Sequence, residues 1–496
     1  MAQVPPLVPD TNIPGITAAL DRRRSGVGAA APRFLCIGPV AAAAALPLNT
    51  PTLVGSSVAD AEALCGKGTP IPEMVAAILR QYPKAECWIA TPGNPQSAAA
   101  ASKVITFAAA PTAAGTWAIE IGGRLYLVPV AKDATVTAQA DALEAAIEAD
   151  ADAVVGIDNT AGACTITAKF PTAVGDGILI VLNPGGPSAG HLTPAGGVIT
   201  ELATTPYLAL ATGGTVPSID TLITAMADDD YDVVVSAFHD TTSTGDLDAE
   251  VGVRRWTPMV DAPLGHWFTA KRDTATNLHA WGDGIGSWHA LGVGVEPANP
   301  TSPWVHAADW AGYCGSRMFI RQMASGKPLA PHMPVMGVQL LSVQPTLPRY
   351  RFSRSERDSL VDHGVATYTT DTAGRVKMEN EVSTEAGSYI QEAACAMAWS
   401  RYRRERLWAK FMQKAIVDDT VDPIPAGSAA PRSIKAEILS LALDALSFGW
   451  LRNYEDFKNG LVVEPNATNK NRIDVLETPR WANQLRQLGI VLQPLF

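Results

Sequence analysis

Charged side chains are scarce in this sequence, and those present do not favour a nucleic-acid partner. Of 496 residues only 18% are Asp, Glu, Lys or Arg, and 49 acidic residues outnumber 38 basic ones. The whole net charge of −11 falls within residues 1–350, because residues 351–496 hold 19 basic and 19 acidic side chains. An acidic chain lacks the basic surface that attracts a phosphate backbone. So sparse a charge predicts a surface that other subunits of an assembly cover.

The sequence also has no long apolar run, and its first residues do not predict a secretory leader. Its longest apolar stretch, residues 35–48, is interrupted by Gly38, Pro39 and Pro47 and is too short to cross a bilayer. Residues 1–15 have neither a basic start nor an apolar segment of the kind that a signal peptide needs. We therefore expect no direct insertion into a membrane and a protein that is made in the cytoplasm.

Cysteine spacing typical of a metal site or a redox motif is missing. The six cysteines are scattered along the chain: Cys36, Cys65, Cys87, Cys164, Cys314 and Cys395. Buried, reduced thiols that pack as small apolar groups are the interpretation we favour. The alternative, that some of them pair after release into an oxidising medium, within or between subunits, stays open.

Motifs for catalysis and for ligand binding are missing as well. The chain has no GxSxG elbow, phosphate loop, GxGxxG fingerprint or HExxH motif, and its histidines show no ligand spacing. His239 and Asp240 follow the most apolar predicted strand, residues 232–238, where α/β enzymes keep active sites. No spacing connects this pair to a nucleophile, so a hydrolase is only an alternative. We expect no enzyme activity, no cofactor and no metal.

Strands and helices alternate on both sides of a segment rich in strands. Residues 33–38, 86–90 and 232–238 are apolar runs typical of a parallel sheet that is buried on both faces. Between the second and the third, Trp117 and Ile119 alternate with small residues, as in a half-buried strand. The pattern predicts an α/β core with an inserted mostly-β domain, followed by an α+β domain that ends in a hairpin and a short helix. The predicted divisions are an N-terminal arm (1–22), the first part of the core (23–100), the inserted domain (101–195), the rest of the core (196–370), the C-terminal domain (371–486) and a C-terminal arm (487–496).

The two ends of the chain are predicted to be extended arms. Four prolines within the first 14 residues exclude a helix there, and residues 489–492 form an apolar strand that would aggregate unless it were paired. Each arm can add a strand to the sheet of a neighbouring subunit, and two such arms allow head-to-tail contacts that build helical assemblies. The residues that we assign to these inter-subunit strands are Ile13, Pro14, Gly15, Ile490, Val491 and Leu492.

A basic run marks the longest predicted helix, residues 388–416. Arg403, Arg406, Lys410 and Lys414 follow one another at intervals of three or four residues, so we expect them to share one helical face. An acidic residue lies among the arginines and aromatic residues do not alternate with them, so a protein partner is favoured over a nucleic acid.

Seven stretches, which keep their order along the chain, resemble those of one protein family. They are Ile13 to Gly15 (IPG), Leu35 to Gly38 (LCIG), Ala61 to Thr69 (AEALCGKGT), Ala114 to Val130 (AGTWAIEIGGRLYLVPV), Arg255 to Met259 (RWTPM), Ser353 to Tyr368 (SRSERDSLVDHGVATY) and Phe457 to Arg472 (FKNGLVVEPNATNKNR). This series resembles the tail sheath proteins of Mu-like contractile phages and prophages. Residues 380–384 (NEVST) depart from the Arg-x-Ile-Thr-Thr that is usual in that family.

The resemblance implies a structural subunit of a contractile tail sheath, located in the virion and assembled in the host cytoplasm. Such subunits form stacked hexameric rings around a tail tube, are linked through exchanged arms, and contract to drive the tube through the host cell envelope. The expected partners are further copies of the chain, the tail tube protein, and baseplate and tail terminator proteins.

The resemblance also implies a subtilisin-like core and a C-terminal portion that lies toward the tube. We expect the inserted domain on the outside of the sheath and the basic side chains of residues 403–414 against the tube. A contact of these side chains with a neighbouring subunit, or plain solvation, stays open for them. A non-contractile structural tail protein stays open for the whole chain.

Overall fold

The computed structural model of this chain describes residues 32–93, 98–184, 193–227, 229–256, 264–318, 331–486 and 488. Its strands are β1 (Arg33–Ile37), β2 (Thr52–Gly55), β3 (Glu86–Ala90), β4 (Ala100–Ala109), β5 (Gly115–Ile121), β6 (Arg124–Val130), β7 (Val155–Thr160), β8 (Ala163–Pro171), β9 (Leu179–Leu182), β10 (Val198–Ile199), β11 (Tyr207–Ala209), β12 (Val233–Ser236), β13 (His266–Arg272), β14 (Ala290–Val295), β15 (Val365–Thr370), β16 (Val376–Asn380), β17 (Ala415–Ile416), β18 (Ser428–Ala429), β19 (Val462–Pro465) and β20 (Ile473–Leu476).

The α-helices of the described residues lie between β2 and β19 in the chain. They are α1 (Val58–Cys65), α2 (Pro70–Gln81), α3 (Val136–Glu148), α4 (Asp220–Met226), α5 (Thr241–Leu247), α6 (Ala275–Ile285), α7 (Pro303–Met318), α8 (Arg354–Asp362), α9 (Ile390–Phe411), α10 (Pro431–Ser447) and α11 (Tyr454–Gly460). The predicted mixed α/β class is confirmed.

The largest sheet is the parallel core that the apolar runs predict. Its order is β16-β15-β14-β13-β12-β1-β3-β2, in which the six strands from β15 to β3 run parallel and the two edge strands run antiparallel. Every residue of β12 and of β14 is buried. Helices cover both faces of a parallel sheet, so its strands carry apolar side chains at consecutive positions instead of alternate ones.

Helix α7 covers one face of this sheet through two glycines. A Cβ atom at Gly315 would clash with the ring of Phe34 in β1, and one at Gly312 would press on the backbone of Ile78 in α2. Because both positions lack a side chain, α7 packs closely on the strand and on the neighbouring helix. Trp304 and Trp310 of α7 are nearly fully buried.

Residues 100–209 form two antiparallel sheets of four strands each, with the orders β10-β4-β8-β7 and β11-β9-β5-β6. Along β8 buried and half-buried residues alternate, which is the period of a strand with one face on a core. This segment enters the chain between β3 and β12, and both of these strands pair with β1. The limits of the predicted domains remain predictions.

Contacts on several sides join this segment to the parallel core. Lys67 forms an ion pair of 2.8 Å with Asp152, and the guanidinium of Arg272 donates to the carbonyl oxygens of Gly177, Asn299 and Thr301. Burial lowers the pKa of Arg272 to about 10. The three carbonyl groups therefore provide the polar contacts of a guanidinium that is removed from water.

Helix α9 connects the parallel core with a second, smaller core. Its first half supplies Ile390, Ala394 and Met397 to the main apolar cluster, whereas Trp399 packs in a cluster built on α10, α11 and Trp450. At 22 residues the helix is about 33 Å long. It extends over Ile390–Phe411, whereas the sequence predicts a helix over residues 388–416.

The end of the described chain differs from the prediction in one element. The predicted hairpin is present, because β19 pairs antiparallel with β20. The short helix expected after it is wrong, since residues 477–486 contain no helix in the structure. That segment instead crosses the second core in an extended path.

Candidate interaction surfaces

The residues assigned to the two arms lie outside the described part of the chain. This holds for Ile13, Pro14, Gly15, Ile490, Val491 and Leu492, so their pairing with a neighbour stays a prediction. The structure gives the two ends of the folded body that adjoin them. At the first end, the backbone N–H of Arg33 donates to the carboxylate of Asp232 at 2.7 Å.

The four basic residues predicted to share one face of α9 do not form a single free stripe. Lys414 lies three residues beyond the end of the helix, so the prediction of a common face is wrong for it. Arg403 pairs with Glu477, and Lys410 pairs with Glu437 of α10. These two cations therefore hold the C-terminal elements together.

The remaining cations of this region are available to a partner. Arg406 lies over the ring of Tyr402, with its guanidinium carbon 5.4 Å from the ring centre, and Lys414 lies 5.3 Å from the ring centre of Phe411. Arg404 is exposed. None of the three has a carboxylate partner among the described residues. Whether they face a tube stays a prediction.

Arg401, the first arginine of the same run, has a separate role. Its guanidinium pairs with Asp232, whose side chain is fully buried, and lies 3.7 Å from Asp230. Because Asp232 also accepts the N–H of Arg33, one carboxylate connects the start of β1 with the middle of α9. A helical pattern could not show this, because Asp232 lies 169 positions away from Arg401 in the chain.

An apolar groove of about 460 Å³ lies beside the basic residues. Its apolar lining comes from α9, the residue after it, α10 and β20, namely Leu407, Trp408, Phe411, Met412, Ile434, Ile473 and Val475. Arg403, Arg404 and Glu477 line it as well. Trp408 and Met412 are 58% and 57% exposed, which is unusual for side chains of this size. A partner that covered this groove would remove them from water.

The hairpin of β19 and β20 is a two-stranded sheet on its own. Its exposed apolar residues include Val462, Val475 and Leu476. In the described residues no further strand pairs with either outer edge. A two-stranded sheet is marginally stable in water, and open edges accept strands from other chains.

The histidine and aspartate that suggested an enzyme serve the local structure. The carboxylate of Asp240 accepts the backbone N–H of Ser243 at 3.0 Å and so caps α5. Burial next to Lys271 lowers the pKa of His239. No hydrogen bond joins its ring to a serine, threonine or cysteine of the described residues. The geometry gives no support to the hydrolase alternative.

A second group of polar residues, which the sequence analysis missed, includes a serine, an aspartate and a histidine. The Ser287 hydroxyl donates to the carboxylate of Asp248, and the backbone N–H of His289 donates to the Ser287 oxygen at 3.2 Å. The imidazole of His289 is stacked on Trp256, with ring centres 4.2 Å apart, and burial lowers its pKa to about 4. Its ring is therefore engaged with an indole and not with the hydroxyl, so the three side chains do not form a triad.

All six cysteines are buried and free, which supports the interpretation that they are packed, reduced thiols.

The described residues were also compared with the requirements of a metal site and of a membrane span. Among them, no three His, Cys, Asp or Glu side chains are placed to hold a metal ion. None of the described helices has both the length and the apolar character that a membrane span needs.

Comparison with known proteins relates most of the sequence to a named phage protein. No family model matches the chain. The chain is similar to a Haemophilus influenzae protein named Mu-like prophage FluMu tail sheath protein, with 24% identity over 451 residues that cover 88% of each chain.

Among solved structures, the chain is similar to one in the cryo-EM structure of the anti-feeding prophage (AFP) baseplate, 6-fold symmetrised. The identity is 12%, the match covers 58% of this chain and 76% of that one, and the TM-score is 0.38. The resemblance that the motifs predict is confirmed at the level of sequence: along most of its length this chain is similar to the tail sheath protein of a Mu-like prophage.

Proposed function

We propose that this chain is a structural subunit of a contractile phage tail sheath, which polymerises around a tail tube and contracts to drive the tube through the host cell envelope. The observation that carries the proposal is the similarity to a Mu-like tail sheath protein over 88% of both chains. The scarcity of charge on the chain supports it, because a sheath subunit buries much of its surface against other subunits.

We also propose that the fold has a subtilisin-like core and an inserted domain on the outside of the sheath. The proposed domain limits are residues 22, 100, 195, 370 and 486. The strand order supports an insertion, since β3 and β12 are both neighbours of β1. The chain thus leaves the sheet at the C-terminal end of β3 and re-enters it at the start of β12, two strand positions away, which allows the segment between them to project outward.

We propose the hairpin of β19 and β20 as the acceptor for the arms of neighbouring subunits. Its two outer edges can each receive one strand, and the groove beside β20 offers apolar contacts to the side chains of that strand. Paired in this way, a marginal two-stranded sheet becomes the centre of a larger one. Rings linked through such exchanged strands stay connected while their subunits move.

For the tube, the proposal assigns the free cations Arg404, Arg406 and Lys414 to contacts with acidic groups. Contacts that break during contraction are better made of exposed ion pairs, which are weak and sensitive to salt, than of an apolar seam. Arg403 and Lys410 were predicted to take part but are paired within the chain. Their ion pairs instead hold α9 against the C-terminal elements that surround it.

Electron microscopy of the purified protein, alone and with tail tubes, tests the function. We expect tubes or hexameric rings from the full chain. We expect folded, unassembled subunits, by circular dichroism and sedimentation, from variants that lack residues 1–16 or end at residue 486. A full chain that stays monomeric in the presence of tubes would contradict the proposal. Assemblies of one fixed length that never shorten would indicate a non-contractile tail protein.

Charge reversal tests the contact with the tube. The variant Arg406→Glu/Lys414→Glu is expected to coat tubes poorly at low salt while its arm-mediated polymerisation persists. Lys410→Glu is unsuitable, because it would place a second carboxylate beside Glu437. A matched control is Lys132→Glu, which reverses a side chain with 65% exposure in the segment expected on the outside. Normal coating by the double variant would show that these cations do not face the tube.

A further inference from the structure

The chain after the last hairpin crosses the second core and returns to the parallel core. We call residues 477–486 the strap. Near its start, the Glu477 carboxylate accepts the indole N–H of Trp399 at 2.9 Å. In its middle, the backbone N–H of Ala482 donates to the carbonyl oxygen of Trp450, also at 2.9 Å. The strap is therefore attached to the second core before it reaches its last residue, Arg486.

The side chain of Arg486 binds to a set of residues on the parallel core. Its Nη2 lies 2.8 Å from Glu381 Oε1 and its Nη1 lies 3.3 Å from Glu381 Oε2, which is a two-pronged contact with one carboxylate. Nη1 also donates to Asn380 Oδ1 at 3.1 Å. The guanidinium carbon lies 3.6 Å from the ring centre of Tyr389, so the group is stacked as well as hydrogen-bonded.

The burial of this pair contrasts with the residues around it. The Glu381 side chain is fully buried and that of Arg486 is 16% exposed, whereas Leu485 and Leu488 are each 75% exposed. At this end of the described chain the two leucine side chains are thus exposed to water, whereas the arginine side chain between them is bound to the parallel core. A planar guanidinium that is bound on two edges and stacked on one face has a fixed position and direction. A buried ion pair adds little net stability, so fixing the geometry is the role that this one serves best.

We propose that Arg486 is the positioning residue of the C-terminal arm: it fixes where and in which direction residues 487–496 leave the folded body. The inference rests on the proposed function, in which that arm pairs with a neighbouring subunit. Neither arm pairing nor a basic run accounts for a buried arginine at this place. A fixed exit point gives every subunit of a ring the same offset to its neighbour.

The length of the free arm gives the size of the effect on assembly. With Arg486 docked, ten residues follow the anchor, and a chain of ten residues spans at most about 35 Å. Without it, the anchor is Ala482, whose backbone N–H is bonded to Trp450, and fourteen residues follow. The effective concentration of a tethered strand falls roughly as the −3/2 power of tether length, which gives a loss of about 1.7-fold. The loss of direction adds to this figure.

Distance measurements between spin labels test the exit point directly. All six native cysteines are buried, so cysteines introduced at Leu488 and at the exposed Asp358 of α8 can be labelled selectively. We expect a narrow distance distribution in the parent and a broad one in Arg486→Met/Glu381→Gln, which leaves no unpaired buried charge. Arg486→Lys, which keeps the charge and loses the two-pronged contact, should also broaden it.

The control is Arg480→Met, on the same strap. Arg480 is 72% exposed and pairs with Asp456 on the surface at 3.2 Å, so its loss should leave the distribution narrow. The protein concentration needed for polymerisation should rise about twofold or more in the Arg486 variants alone. Narrow distributions in both Arg486 variants would overturn the inference. A parent that shows a narrow distribution but never polymerises would instead contradict the proposed function and leave the anchor intact.

Discussion

Glu120 is expected to make the stability of the chain depend on pH, and replacing it with glutamine should remove its contribution to that dependence. The residue lies in β5, opposite Leu125 of β6 and Val181 of β9, and is only 3% exposed. Its Oε1 atom has no hydrogen-bond partner. Burial raises the pKa of its carboxyl to about 7 from the usual 4.5. The folded chain therefore binds a proton at this site over a range of pH in which the unfolded chain does not.

The sign of the effect follows from this difference. An acid whose pKa is higher in the folded state adds stability fully below pH 4.5, and that stability is lost as the pH rises through 7. The complete loss corresponds to a shift of about 2.5 pKa units, or about 3 kcal/mol. Because the pI of the chain is near 5.3, measurements are best made above pH 6. Between pH 6 and pH 9 the free energy of unfolding should fall by about 1.5 kcal/mol because of this group.

The assay is urea unfolding of the unassembled chain, followed by circular dichroism at pH 6, 7, 8 and 9. The advantage of Glu120→Gln over the parent should grow by about 1.5 kcal/mol across this range. Any cost of burying the amide is the same at each pH and cancels in the slope. Glu148→Gln, at an exposed position of α3, is the control and should leave the slope unchanged. An equal pH dependence in the parent and in Glu120→Gln would refute the reasoning.

Three further predictions concern stability and reactivity. Arg401→Met takes the guanidinium partner from the fully buried Asp232 and should destabilise the chain by about 3 kcal/mol in urea unfolding, whereas Arg404→Met at the surface should change it by less than about 0.5 kcal/mol. Gly68→Ala should cost more than about 2 kcal/mol, because φ is +72° and the new Cβ would clash with the Ala153 carbonyl; Gly156→Ala in β7, with open space around it, should be neutral or slightly stabilising, and similar effects of the two would contradict the close approach. None of the six cysteines should react with Ellman's reagent at pH 8 until urea is added, since burial raises the pKa of Cys65 and of Cys87 to about 12; rapid reaction of the native chain would refute their burial.

The parts of the fold that could be predicted from the sequence are those with a local cause. The apolar run at residues 232–238 gave the buried strand β12. Helix α8 is a second element with a local cause. Its start has a local reason: the Ser353 hydroxyl accepts the N–H of Glu356, and the Glu356 carboxylate accepts that of Ser353. Contacts of this kind lie within four residues and leave a pattern in the sequence.

The contacts that define the candidate surfaces have no such pattern. Arg486 and Glu381 lie 105 positions apart, and Arg403 and Glu477 lie 74 apart, so neither pair follows a helical or a strand period. The basic run gave the correct residue types, but spacing alone could not show which cations are paired within the chain. Predicting this would require knowing where the strap runs after β20, and the expected helix there was wrong.

The position of β1 between β3 and β12 has a consequence for the order in which the chain folds during its synthesis. The N–H of Arg33 finds its partner Asp232 only 199 residues later. At about 5–20 residues per second, a ribosome needs roughly 10–40 s to cover that distance. During this time the antiparallel sheets of residues 100–209, whose partners are close in sequence, can already form. One edge of β1, with the apolar Phe34 and Leu35, stays without its partner strand until β12 emerges. The nascent chain is thus most exposed to aggregation, and to chaperones that bind apolar strands, before its own centre is complete.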